Sequence, residues 1–295
     1  MNLFRKSGLL PHEWFFGIFL VAMTLRLCFT ADLTDVDAVL FSGVLFVNVA
    51  VIAWCNRCNT KGRWLLRLWM YPVMMNVIFM NMKSSVMKVN SHKWDETLAA
   101  CDRWLFGEIL SVRTQSMISP WITEVLSFCY LLFFPYLMIS WFYYAYRGMP
   151  VLRKLFVGLF TIYGIGFLGY TLVPAGGPHL AYPEEFSVPL GGWAIARFNA
   201  FVVANGSNGV DVFPSLHSAV SLFLLMFDCQ NARWRFRVYL VPCVGIWLAT
   251  IYLRYHYAID LLAGFALAGF ALWITRKWEV SNNILSTTEN SESCH

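Results

Sequence analysis

The chain has 295 residues, of which 58% are hydrophobic and 13% charged, and its mean hydropathy is +0.56. It carries 25 Phe, 13 Trp and 13 Tyr, more apolar surface than a soluble globule of this length can hide. A net charge of +5 is too mild to imply nucleic acid, so disordered, collagenous and nucleic-acid-binding classes are excluded and a polytopic membrane protein remains.

Eight apolar segments follow in chain order: 11–31, 36–54, 64–82, 120–146, 153–173, 214–228, 236–253 and 256–275. Each approaches the roughly 20 helical residues that cross a hydrocarbon core about 30 Å thick. The first holds Arg26 and lacks a small-residue cleavage site, so it reads as a span and not as a cleaved signal. The sixth is short and begins with polar residues, and hydropathy alone does not support it. Between the third and fourth, Leu98, Cys101, Trp104, Leu105 and Ile109 recur at helical spacing around Asp102, Arg103 and Glu108. That pattern predicts an amphipathic helix on the membrane surface, or else a small cap on the bundle. Residues 174–213 are rich in Gly and Pro and predict turns. The expected fold is an all-α, polytopic membrane helical bundle of about eight spans. N-terminal spans and the interfacial helix would fill 1–119, a catalytic helical core 120–280, and a polar, disordered tail 281–295.

Basic residues orient the bundle. Thirteen of the 22 Lys and Arg fall on the face that carries the N-terminus and seven on the opposite face. Arg26 and Arg67 fall within spans, and are expected to snorkel to the cytoplasmic surface or to pair inside the bundle. By the positive-inside rule both termini are cytoplasmic and the opposite face is extracytoplasmic. That is the plasma or inner membrane of a bacterium, or the Golgi or ER of a eukaryote.

Three polar clusters share the extracytoplasmic face: Pro174-Ala-Gly-Gly-Pro-His179, Asp211-Val-Phe-Pro-Ser-Leu-His-Ser218 and Thr250 to Asp260. In the second, Pro214 suits a helix start and Ser215 would sit in the first turn, where free N–H groups favour an anion close to His217. In the third, His256 and Asp260 are one helical turn apart. The carboxylate can fix the imidazole tautomer and leave the other nitrogen nucleophilic. An ionisable residue one turn inside a membrane helix is costly and needs a reason. A nucleophilic His256, an anion site at Ser215 and a second histidine able to protonate a leaving oxygen suit phosphoryl transfer through a phosphohistidine. No metal or other cofactor is required. A proton-relay transporter would instead leave paired broken helices in two related halves, which are not evident. An inactive scaffold would not need the complete His217, His256 and Asp260 set.

Phe213-Pro-Ser-Leu-His-Ser218 and Tyr252-Leu-Arg-Tyr-His-Tyr-Ala-Ile-Asp260 resemble the second and third motifs of the type 2 phosphatidic acid phosphatase superfamily, over roughly residues 120–275. The resemblance implies a six-helix core with His256 as nucleophile, Asp260 as its orienting partner and His217 as general acid. The bases of hydrolytic members are missing. The first-motif region has His179 where a base is expected, Thr250 stands where an Arg would precede the third motif, and Leu216 replaces a Gly. This pattern is similar to the inositol phosphorylceramide synthase branch, which moves a phospho-headgroup between lipids. The expected partners are therefore a lipid phosphate or phospholipid substrate and the membrane, with no nucleic acid. Hydrolysis of the same substrates is the alternative outcome. Arg254 and His179, and more weakly Arg197, are expected to supply part of the missing positive charge.

Overall fold

The computed structural model describes residues 8–292 apart from 33 and 59, with side chains described to 280. Arg5 and Lys6, which counted toward the basic face, lie outside the described residues. Helices occupy all eight expected segments, and no strand occurs among the described residues. In order they are α1 (Pro11–Thr30), α2 (Val36–Asn56), α3 (Lys61–Val89), α4 (Asp95–Phe106), α5 (Leu110–Arg113), α6 (Pro120–Leu131), α7 (Phe133–Arg147), α8 (Met149–Leu172), α9 (Pro178–Ala181), α10 (Ala194–Gly206), α11 (Leu216–Asn231), α12 (Arg233–Tyr252) and α13 (Ala258–Glu292). The backbone of α13 runs through 281–292, and the side chains there lie outside the described ones.

Among the described residues five helical rods are long and apolar enough to cross a membrane: α1, α2, α6 with α7, α8, and α13 as far as Val280. The protein is therefore an all-helical membrane protein. The other expected spans, α3, α11 and α12, pack among these five. They fail as isolated spans because α11 has only 16 residues and the other two carry basic residues near one end. Helix α8 is the axis. Leu155 to Gly164 are buried on every side, as expected of a helix apolar all round, and α1, α3, α7, α11 and α13 pack against it.

Buried charges on the N-terminal face are paired. Arg67 meets Glu13 at 2.5 Å, with both side chains essentially inaccessible. Asp228 accepts from Tyr144 at 2.5 Å, Tyr136 at 2.8 Å and Arg235 at 3.0 Å, and Arg235 also reaches Ser140 at 2.6 Å. Of the two outcomes expected for Arg26, snorkelling or pairing inside the bundle, the second is found. Arg26 donates to the carbonyls of Val89 and Thr171, both at 3.2 Å. These carbonyls belong to the last turns of α3 and α8, where backbone acceptors lack helical partners.

The predicted interfacial helix, α4, docks onto the bundle as a cap. Leu98 and Ala99 are buried against Ala175, Val212 and Tyr257, while Trp104 is 84% exposed on the outer side. Its acidic residues point inward. Asp95 accepts from the N–H groups of Gly176 and Gly177 and from the Tyr257 hydroxyl, at 2.9 to 3.1 Å. Asp102 accepts from the N–H groups of Ala258 and Ile259 at 3.0 and 3.1 Å, which are free donors at the first turn of α13.

Candidate active site

Each histidine cluster is placed by backbone geometry that its local sequence sets up. Helix α12 ends in a Schellman turn: Arg254 N–H bonds the Ile251 carbonyl at 2.9 Å and Tyr255 N–H the Thr250 carbonyl at 3.0 Å. Arg254 holds the left-handed position of that turn, with φ at 69°, where glycine is usual. His256 N–H also bonds the Thr250 carbonyl at 3.0 Å. The turn thereby brings the imidazole back over the bundle.

The second motif meets it there. Ser215 is the N-cap of α11, one residue ahead of the first turn, and its hydroxyl accepts from Ser218 N–H. The same hydroxyl lies 3.4 Å from His256 Nε2. On the other side of the ring, Asp260 Oδ2 is 3.5 Å from His256 Nδ1 and accepts from Tyr257 N–H at 2.8 Å. Ser215 N–H bonds the Asp260 carbonyl at 3.0 Å. So close an approach needs a bare helix surface: a Cβ on Gly264 would come within 2.5 Å of the Ser215 carbonyl.

His217 faces His256 with ring centres 6.0 Å apart, and it packs between Tyr130 and Phe133 at 4.7 and 4.5 Å. His217 Nε2, His256 Nδ1 and Asp260 Oδ1 are buried and make no hydrogen bond among the described residues. Buried polar atoms without partners are uncommon and costly.

The first motif completes the wall. Gly177 has φ 85°, and a Cβ there would lie 2.3 Å from the Tyr255 carbonyl. This residue lets the loop touch the Schellman turn. His179 then uses both its N–H and its ring Nδ1 on the Arg254 carbonyl, at 3.1 Å each. Burial lowers the pKa of His179 from its ordinary value, with the Arg254 carbonyl opposing and His256 adding to the shift. The isolated ring is therefore neutral near pH 7.

His179, His217 and His256 line one cavity of about 540 Å³, together with Asp211, Tyr130, Tyr170 and Tyr255. No Lys or Arg is among its lining residues. The Arg254 guanidinium is elsewhere: it donates to the Val188 carbonyl and stacks on Phe186 at 4.2 Å. Arg197 is on the exposed side of α10. Sequence reasoning used Lys93 only for sidedness. Its exposed side chain donates to the Gly209 carbonyl at 3.0 Å, and its ammonium lies next to Gly176, which lines the cavity although Lys93 does not. Asp95 and Asp102 were missed as well. Together they hold the first-motif loop and the start of α13 in register.

The site brings together an imidazole with a carboxylate at one nitrogen, a helix N-terminus and a second imidazole, the kinds of group that nucleophilic and general acid–base chemistry on an anion requires. No curated protein and no solved structure matches the chain. A family model does, across residues 96–274, and that match takes in every residue of the three motifs. The chain belongs to the PAP2 superfamily, whose chemistry is the cleavage of phosphate esters.

Proposed function

We propose that the chain is a membrane enzyme that takes phosphate from a lipid-linked donor through a phosphohistidine on His256 and passes it to a second lipid. The observation carrying this reading is the pairing of His256, with a carboxylate at one nitrogen and a hydroxyl at the other, against His217 inside a largely apolar cavity. With the Asp260 carboxylate beside Nδ1 favouring the proton on that nitrogen, Nε2 keeps its lone pair and attacks phosphorus. The P–O bond to the leaving group breaks as His217, charged by the arriving phosphate, gives up a proton to that oxygen. The neutral His217 then takes the proton of an acceptor hydroxyl, whose oxygen attacks phosphorus and breaks the N–P bond. Ser215 and the α11 N-terminus hold the phosphate oxygens. Lys93 and a phosphate-protonated His179 supply the positive charge, and the Arg254 carbonyl holds His179 in place.

An apolar cavity favours transfer because it keeps water from the phosphoenzyme. Hydrolysis shares the first half-reaction and differs only in the acceptor. With the basic face cytoplasmic, the reaction runs on the extracytoplasmic side.

The test is purified protein in detergent with lipid labelled in its phosphate. Acid-labile, base-stable phosphate should appear on the wild-type protein and vanish in His256→Ala. His217→Ala should slow cleavage of a lipid phosphate by roughly 10²- to 10⁴-fold. With an aryl phosphate, whose leaving group needs little protonation, most of that loss should return. Phosphoenzyme in His256→Ala that is absent in His217→Ala would reverse the two roles.

A further inference from the structure

The cavity does not end at the histidines. Its lining descends through Phe133, Leu137 and Trp141, with Tyr163 and Phe167 of α8 behind them and Met75 and Phe79 of α3 opposite. From Tyr130 to Trp141 that is about 16 Å at the helical rise, roughly half of a 30 Å hydrocarbon core. Helix α3 lies outside the residues matched to the family, yet it supplies one whole side.

The bottom is closed by aromatic contacts. Trp69 of α3 lies 6.5 Å from Trp141 and 5.6 Å from Phe142 of α7, and 5.8 Å from Phe156 of α8, so all three helices meet there. Above this floor the cavity opens sideways. Asn76 on α3 and Phe134 and Met138 on α7 line it and are also exposed. The result is a slot inside the hydrocarbon region, with a lateral opening, a histidine pair at one end and a floor at the other.

We infer that this slot takes one hydrocarbon chain of the lipid whose phosphate meets His256, and that Trp141 on its Trp69 support sets the longest chain accepted. The inference rests on the proposed phosphoryl chemistry for the identity of the headgroup. The occupant follows from continuity: the apolar lining from Phe133 to Trp141 belongs to the same cavity as His217 and His256, and it is built by helices long and apolar enough to cross a membrane, so a molecule with phosphate at His256 can lay one chain along it. Selection must come from the floor. In a bilayer a methylene gains little by leaving lipid for protein, so a chain of fitting length is barely rewarded while one that strikes the indole is rejected by overpacking.

Two measurements test this. The first uses a lipid phosphate with a photoreactive diazirine at the end of one acyl chain, crosslinked to the wild-type protein and mapped by mass spectrometry. Label should fall on Met75, Met138 or Trp141. Label confined to other surfaces, or none at all, overturns the inference even if the phosphoenzyme forms. Label in the slot without any phosphoenzyme sustains the chain site and sinks the proposed chemistry instead. The second compares kcat/KM over a series of chain lengths. Trp141→Ala should move the optimum to longer chains and raise the long-to-short ratio roughly tenfold, the scale of one or two methylenes. Met138→Trp should move it to shorter chains. An unchanged length profile in both variants overturns the ruler.

Discussion

Helix α11 carries a buried polar cluster at each end, and the two are built on opposite rules. At its C-terminal end Asp228 has both oxygens occupied, by Tyr136, Tyr144 and Arg235, and the Arg235 guanidinium lies over the rings of the same two tyrosines. At its N-terminal end His217 Nε2, His256 Nδ1 and Asp260 Oδ1 are equally buried and have no hydrogen-bond partner among the described residues. The first cluster balances charge and saturates its bonds, which is what a low-dielectric interior demands of a structural element. The second leaves capacity free where a cavity meets it. Unsatisfied groups beside empty space are a place where a ligand can be held, and saturated groups without space are not.

The sharpest way to break this comparison is a crossed pair of substitutions. His256→Ala should abolish turnover, by about 10⁴-fold or more, with little change in the thermal midpoint in detergent, since the ring makes few bonds to lose. Asp228→Ala should do the reverse. It strands a buried guanidinium and should cost about 3–5 kcal/mol of stability, while the fraction that stays folded keeps near-normal kcat. Loss of activity without loss of stability in Asp228→Ala would mean that the saturated cluster also serves the reaction.

A smaller effect is expected where the two rules meet, in α4. Asp102→Ala leaves the Ala258 and Ile259 N–H groups unpaired and should cost about 1–3 kcal/mol. Because those groups fix the first turn of α13, kcat should fall roughly tenfold to a hundredfold as Asp260 loses its register. Asp102→Asn keeps an acceptor oxygen and should recover most of the rate. Equal stability loss with unaltered kcat would reduce α4 to a lid without influence on the histidine.

The motif histidines and Asp260 were legible because their relation is local: four residues along one helix, or three from a proline. Ser215 was legible to within one residue, since cap and first turn differ only in backbone angle. The contributions of Asp95 and Asp102 were not. Their partners are backbone N–H groups 81 to 157 positions away, and such donors have no signature in sequence. The α3 wall was hidden for a similar reason, as Met75 and Phe79 read as ordinary span residues. Arg254 was misleading in a different way. Its position two residues before His256 suggested a shared ligand, but the left-handed backbone at Arg254 sends the two side chains to different places.

That last point gives the smallest effect. Arg254→Gly places the residue best suited to φ 69° in the Schellman turn. Stability should hold or rise by up to about 1 kcal/mol, and kcat/KM should change less than about threefold. Lys93→Gln, which removes the ammonium beside Gly176, should lower kcat/KM roughly tenfold to a hundredfold. The opposite ranking would return the phosphate to Arg254 and require the loop around Val188 to release it.

The clamp in α4 also dictates a timetable. Asp95 leaves the ribosome 162 positions ahead of Tyr257, and Asp102 156 positions ahead of Ala258. At about 5–20 residues per second, that is roughly 8–30 s of synthesis. Asp95 gains the Gly176 and Gly177 N–H groups about halfway through that interval, whereas Asp102 must wait for the Ala258 and Ile259 N–H groups. The clamp is complete only when the start of α13 supplies the Tyr257, Ala258 and Ile259 partners. The nascent chain therefore carries its second motif in the membrane well before the pocket around it can close. Asp260 and the last partners of the clamp arrive together with α13, so a chain that stalls before it has neither.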